Sequence, residues 1–212
     1  MEAAQALIRE RSDAGFSMAM LAERAGVSAA TPYNLLGSKS EILRAVVRDD
    51  IARFVRELEE QVGDTPLASL LIAADRLVSH YEGDRQLHIG LFRAAFSTEG
   101  PEVRGVLSAE SWIWWRALVD AAVESGELAN FVSPRQLTDA LLRMMGAVVQ
   151  AWLAAGWPAD RFALEMSLSV RLVLASVSTS PIREAMSGEI ATLQTAIDAL
   201  ANDHMQALNE AS

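Results

Sequence analysis

Apolar side chains recur along this chain at intervals of three and four residues almost from end to end. That spacing gathers them on one face of an α-helix, which turns once in about 3.6 residues. Alternating runs of β-branched residues closed by hairpin turns, the signature of strands, are missing. The predicted fold is all-α. Thr65-Pro66, Ser133-Pro134 and Ser180-Pro181 each set a capping side chain before a proline at the first helical position, and Gly100-Pro101 and Trp157-Pro158 break the periodicity similarly. These breaks predict helices over 2–12, 17–24, 28–35, 39–62, 66–81, 85–97, 102–125, 134–156, 159–178 and 182–209. Ser38-Lys39-Ser40-Glu41 has the form of a capping box, which fixes the start of the fourth helix.

In the second predicted helix Met18, Leu21 and Ala22 share a face, and Ala25 and Val27 can close a small core across Gly26, a residue suited to positive φ. Ser28 then caps the third. Two short helices crossing through a glycine turn make a helix-turn-helix, although three small helices in an ordinary bundle use much of the same pattern. The expected organisation is a three-helix head, residues 1–48, joined through the long fourth helix to a larger helical-bundle body, residues 49–212, with no flexible linker. In 182–209, Met186, Ile190, Leu193, Ile197, Leu200, His204 and Ala207 form a heptad seam that should pack along the body or a partner subunit.

With 212 residues and 51% hydrophobic side chains, the chain can bury one large core or a head and a body. It has no cysteine, which removes disulfides and thiolate chemistry. The net charge is −10, yet the first 50 residues carry six cations (Arg9, Arg11, Arg24, Lys39, Arg44, Arg48) against seven acids. Any contact of this head with nucleic acid therefore rests on a few well-placed cations, foremost Lys39, the lone lysine beside 17 arginines. No secretory leader pattern opens the chain, and the uncharged stretch Met144–Trp157, which continues to Ala159, is shorter than the roughly 20 residues of a bilayer span. A cytoplasmic location without a membrane partner is expected. There is no nucleophile elbow, triad context or phosphate-binding glycine loop. Neither an enzyme nor a cofactor is expected. His80 and His88 with Tyr81 could orient a ligand or a metal, but three histidines without an i,i+4 pair argue against a metal site.

Taken together, Ser17-Met18, Leu21-Ala22-Glu23-Arg24-Ala25-Gly26-Val27-Ser28, Thr31, Tyr33 and Ser38-Lys39-Ser40-Glu41-Ile42-Leu43 resemble the head of the tetracycline-repressor (TetR) family, over residues 4–48. The resemblance implies a homodimeric transcriptional regulator, usually a repressor of a double-stranded DNA operator, released by a small-molecule effector bound in the body. It assigns Thr31, Tyr33 and Lys39 to phosphates, Asn34 to a base, and Ser28 and Ala29 to the groove-facing helix start. Their chemistry agrees, since hydroxyls bond phosphate oxygens, asparagine reads adenine and an alanine methyl touches thymine. Ala30, Pro32 and Leu35-Leu36 depart from the family pattern, and a basic arm before the first helix is missing. Pro32 removes an intrahelical hydrogen bond, so the third helix either distorts or begins effectively at Thr31-Pro32. A helical ligand-binding or interaction protein with a head that no longer engages DNA is the alternative reading.

In the family the last two body helices pair with their copies. Here the resemblance points to Leu141, Val148, Val149, Trp152, Leu168, Leu172 and Ala175 as interface residues, an intrachain core being the competing reading. The run Trp112-Ile113-Trp114-Trp115 cannot turn all its indoles to one face. With the other aromatics it is either plain core or part of an apolar ligand pocket. Tyr81, His88, Phe92, Phe96, Trp112, Trp115, Met144 and Gln150 are the pocket candidates.

Overall fold

The structure, a computed structural model, describes residues 1–11, 15–59, 61, 63–97 and 101–210, and within these the side chains other than those of 101, 102, 106, 108 and 203–210. Among the described residues ten helices follow one another: α1 (Glu2–Arg11), α2 (Met18–Ala25), α3 (Thr31–Leu36), α4 (Lys39–Glu59), α5 (Pro66–Gly83), α6 (Arg85–Phe96), α7 (Pro101–Glu124), α8 (Pro134–Ala155), α9 (Ala159–Val177) and α10 (Ser180–Glu210). Among the described residues there is no strand, only an isolated antiparallel bridge between Leu128 and Ser178. No helix among them is long and apolar enough to cross a membrane. The all-α expectation is borne out.

The predicted starts hold where a side chain can reach back. Ser17 accepts from the N–H of Met20 at 3.2 Å, Ser133 from Gln136 at 3.2 Å and Thr65 from Ala68 at 3.2 Å. Gly26 takes the left-handed conformation, φ +66°, and its N–H and that of Val27 bond back to Glu23 and Ala22, closing α2.

Of the two expected forms of the third helix the late start is found, and three local expectations, the caps at Ser28 and Ser180 and the closure by Ala25 and Val27, are corrected. The third helix begins at Thr31, because Pro32 has no N–H to give and its ring would crowd the Ser28 carbonyl of a longer helix. Ser28 is therefore not its cap: the Thr31 N–H reaches the Ser28 carbonyl at 3.0 Å in a tight turn, and the Ser28 and Thr31 hydroxyls bond at 2.8 Å. Ala25 and Val27 do not close the small core; both are exposed, and hydrogen-bonded backbone ends α2 instead. Ser180 is the first residue of α10 rather than its cap. In the seam along α10, Met186 is buried and Ile190, Leu193, Ile197 and Leu200 are half-buried, whereas His204 and Ala207 lie outside the described side chains.

The chain packs as two compact units, each discontinuous in sequence: residues 1–60 with 80–113, and residues 61–79 with 114–212. The expected 48/49 boundary falls inside α4 and inside the first unit, since α4 is continuous to Glu59 and α6 packs on α1. In that unit Ala4, Leu7, Ile8, Phe16, Met18 and Leu21 meet Ile42, Leu43, Val46 and Val47 of α4 and Leu87, Leu91 and Ala95 of α6 in one buried cluster. The second unit is built on α8, α9 and α10, with Leu141, Met145, Val149, Met166, Val170 and Leu174 buried and the rings of Trp152 and Phe162 stacked at 4.6 Å.

Within the second unit the segment after α7 also organises the start of α5. Glu127 accepts from the Thr65 hydroxyl at 2.6 Å, the Leu67 N–H at 3.1 Å and the Ser125 hydroxyl at 2.9 Å. Burial opposes ionisation here, but these three hydrogen bonds outweigh it and hold the carboxyl below its ordinary range. A carboxyl with a lowered folded-state pKa stabilises the fold above its unfolded-state pKa and loses that contribution as pH falls through the folded-state value. Glu127→Gln should therefore cost about 1 kcal/mol in chemical denaturation at neutral pH, and the difference from the unsubstituted protein should shrink as the pH is lowered. An equal cost across the pH range would show that the charge contributes nothing.

Candidate functional site

The surface of the head is set by α3 and the first turn of α4. Ser28, Ala29, Tyr33 and Asn34 are exposed, Tyr33 at 57%, and Thr31 and Lys39 are half-buried. Leu35, at 76%, and Leu36 add uncovered apolar surface to the same short helix. The capping box forms as expected: Glu41 accepts from the Ser38 N–H at 2.6 Å, and the Glu41 N–H reaches Ser38 Oγ at 3.3 Å. The backbone hydrogen bond from Ser38, then its hydroxyl, hold the Glu41 carboxyl below its ordinary range.

Lys39 sits in that first turn with Nζ 5.1 Å from the centre of the Phe16 ring. Among the described residues no carboxylate pairs with it. The other cations around it are differently placed: Arg9 pairs with Asp84, Arg24 with Glu10, Arg44 with Glu41 and Arg48 with Glu110.

Further along α4 lies a polar cluster inside the first unit. Asp50 points one carboxylate oxygen at His80 Nε2, 3.2 Å away near the end of α5, and the other at His88 Nε2, 3.0 Å away on α6. The far nitrogens are also held: His80 Nδ1 lies 2.9 Å from Glu57, and His88 Nδ1 lies 3.0 Å from both the Tyr81 and the Asp84 carbonyl oxygens. Both imidazoles are almost fully covered, at 3% and 1% side-chain exposure. Burial pushes the Asp50 carboxyl up, but the hydrogen bonds and charge of His80 and His88 hold it far below the usual carboxylate range. For His80, burial works downward, and the bond to and charge of Asp50, then those of Glu57, raise its pKa above the ordinary histidine value. Burial, and after it the Asp50 charge, push the Tyr81 phenol well above its ordinary value.

Of the expected pocket residues, Tyr81, His88, Phe92 and Phe96 come together beside this cluster. Tyr81 lies 4.9 Å from His88 and meets Phe92 edge to face at 4.9 Å, and Phe92 stacks near Phe96 at 6.2 Å. Trp112 is half-buried in the same unit. In the second unit Trp115 is buried edge-on against Trp114, Met144 is half-buried and Gln150 is exposed. Along the tryptophan run Trp115 is buried, Trp112 and Trp114 are half-buried, and Ile113 is exposed at 67%. An open hollow of about 700 Å³ lies elsewhere, lined by Met1, Glu2, Ala3, Ala6, Arg24 and Ala25.

The interface expectation is corrected for four residues. Leu141, Val148, Val149 and Trp152 are covered within the single chain, so they belong to its own core. Leu172 is 49% exposed, and Leu168 and Ala175 are half-buried; these three lie at i, i+4 and i+7 on α9 and form one stripe. Asp50 and Glu57 went unread in the sequence. Their seven-residue spacing places them on one face of α4, but their histidine partners lie 23 to 38 residues away and no local motif announces them.

Residues 1–46 match the family model of the bacterial regulatory proteins of the tetR family. No curated protein is significantly similar in sequence. Among solved structures, the fold is similar to that of RolR without ligand (23% identity, TM-score 0.65, covering 90% of this chain and 94% of that one). It is also similar to RolR in complex with resorcinol (20% identity, TM-score 0.64, covering 88% of each chain). A third similar structure is FadR of Thermus thermophilus, a TetR-family transcriptional repressor in complex with lauroyl-CoA (20% identity, TM-score 0.68, covering 85% of this chain and 95% of that one). Residues 1–46 thus carry a head similar to that of the tetR family of bacterial regulatory proteins, and the chain shares its fold with the RolR and FadR structures over most of its length.

Proposed function

We propose that the chain is a homodimeric cytoplasmic repressor that binds a palindromic operator through residues 1–48 and is released by a small, largely apolar effector bound within residues 49–212. The observation that carries the DNA contact is Lys39. A cation in the first turn of a helix is electrostatically misplaced unless an anion lies beside it, and among the described residues no carboxylate supplies one. A DNA phosphate does. Because Arg9, Arg24, Arg44 and Arg48 are already paired with carboxylates, Lys39 stands out as the cation open to that phosphate. Thr31 and Tyr33 would join it on the backbone, and Asn34, with Ser28 and Ala29 at the preceding turn, would face base edges.

A single α3 of six residues offers little area for selectivity, so two heads reading related half-sites are required. The stripe formed by exposed Leu172 with half-buried Leu168 and Ala175 on α9 is the surface we assign to the second copy. The ring cluster of Tyr81, Phe92 and Phe96 supports an apolar effector, as do the fold-related structures that hold resorcinol and lauroyl-CoA. To act, that effector must bind one conformation better than the other. No reaction is assigned to the chain.

In a binding assay on DNA upstream of its own gene, Lys39→Ala should weaken all sequences alike and reduce the slope of log affinity against log salt by about 0.9 for each head. Asn34→Ala should instead cost about 1–3 kcal/mol at the base it reads and relax selectivity there. If both substitutions leave binding unchanged, the DNA-facing assignment is wrong. Leu172→Glu should convert the dimer to monomer in sedimentation analysis, and an unaltered dimer would move the interface off this stripe of α9.

A further inference from the structure

We propose that Asp50, His80 and His88 form a binding site for one divalent first-row transition ion of the zinc class. The inference rests on hydrogen-bond bookkeeping inside the first unit and stands apart from the DNA-binding reading. The Glu57 carboxylate against His80 Nδ1 can only accept, and so can the Tyr81 and Asp84 carbonyls against His88 Nδ1. Both Nδ1 atoms therefore carry the hydrogen. Each Nε2 is left aimed at an oxygen of Asp50, at 3.2 and 3.0 Å, and a neutral imidazole would meet that oxygen lone pair to lone pair. Positive charge has to lie between them. Two protons would make two buried imidazolium rings with centres only 5.0 Å apart. One dication serves both nitrogens and the carboxylate at once.

The geometry suits such an ion. One ligand atom from each of the three residues lies within 4.8 Å of the others. Tetrahedral zinc with ligands at about 2.0–2.1 Å sets its donors about 3.3 Å apart, so the nitrogen–oxygen separations need to open by a few tenths of an ångström and any separation near 4.8 Å needs to close on the ion. Two imidazoles and a carboxylate are a donor set for zinc, cobalt, nickel or iron(II) rather than magnesium or calcium. The outer partners are those that metal-bound histidines use: Glu57 behind His80, and backbone carbonyls behind His88. Arg53 also reaches Asp50, at 2.5 Å, but it is 41% exposed and has Glu57 as a second partner at 3.9 Å, so it can yield its place to the ion. The bound ion would clamp the middle of α4 to the end of α5 and to α6. Asp84, whose carbonyl orients His88, also pairs with Arg9 of α1 at 2.7 Å, which extends the clamp to the first helix.

The test is a metal titration of the full-length protein after treatment with a chelator, using Zn²⁺ in calorimetry and Co²⁺ in visible absorption. One ion per chain is expected, with the ligand-field spectrum of a nitrogen and oxygen site and a higher melting temperature when loaded. Asp50→Asn and His88→Ala should each weaken binding by about 100-fold or more, and Glu57→Gln by about 10-fold. His204→Ala, which removes the remaining histidine, should bind as the unsubstituted chain does. Circular dichroism shows whether each variant is folded, and the titration of the unsubstituted chain decides the matter regardless. No stoichiometric binding by that chain, unchanged affinity in folded Asp50→Asn, or loss of binding in His204→Ala would each overturn the proposal.

Discussion

One helix has to satisfy two electrostatic demands, and the first unit is arranged around that constraint. At its first turn α4 holds Lys39 against the unfavourable end of the helix dipole, and about 17 Å further along, at about 1.5 Å per residue, it carries Asp50 into a covered site. Two imidazoles from α5 and α6 face the inner carboxylate, with a dication between them in the site proposed above, and in the proposed function a DNA phosphate answers the outer lysine. Because α4 is unbroken between the two, whatever settles Asp50 also settles the helix that presents Lys39. The buried aliphatic residues Ile42, Leu43, Val46 and Val47 lie between them and hold the helix against α1 and α6.

The charge distribution of the head bears on how an acidic protein would bind the proposed operator. Most of the basic side chains of the head are spent on internal ion pairs, which fix helices to one another and leave little diffuse attraction for phosphate. In the proposed function, affinity would then depend on short-range contacts, with hydroxyls, an amide and exposed apolar surface such as Leu35 carrying a larger share. Pro32 shortens and stiffens α3, so that fewer residues would have to be ordered in the proposed DNA contact.

Much of the fold was legible because its helix boundaries depend on local chemistry. Ser17, Thr65, Ser133 and the Ser38–Glu41 box cap helices through side chains within reach of their own backbone, and such signals survive in one dimension. The length of α3 was legible only as two alternatives, since Pro32 allowed either a distorted helix or a late start. What sequence could not reveal were meetings between distant residues. Asp50 finds His88 across 38 positions, and an apolar face on α8 reads the same whether its own chain or a partner covers it. Leu141 and Trp152 proved to be covered by their own chain, whereas Leu172, on a helix of similar composition, is not.

The salt dependence of wild-type binding to short duplexes from upstream of its own gene, measured beside scrambled duplexes, tests the central claim most directly. Two heads, each offering one uncommitted lysine, should give a sequence-selective complex with a shallow log–log slope of about −2. The absence of any selective complex at low salt, or equal affinity for scrambled DNA, would contradict it.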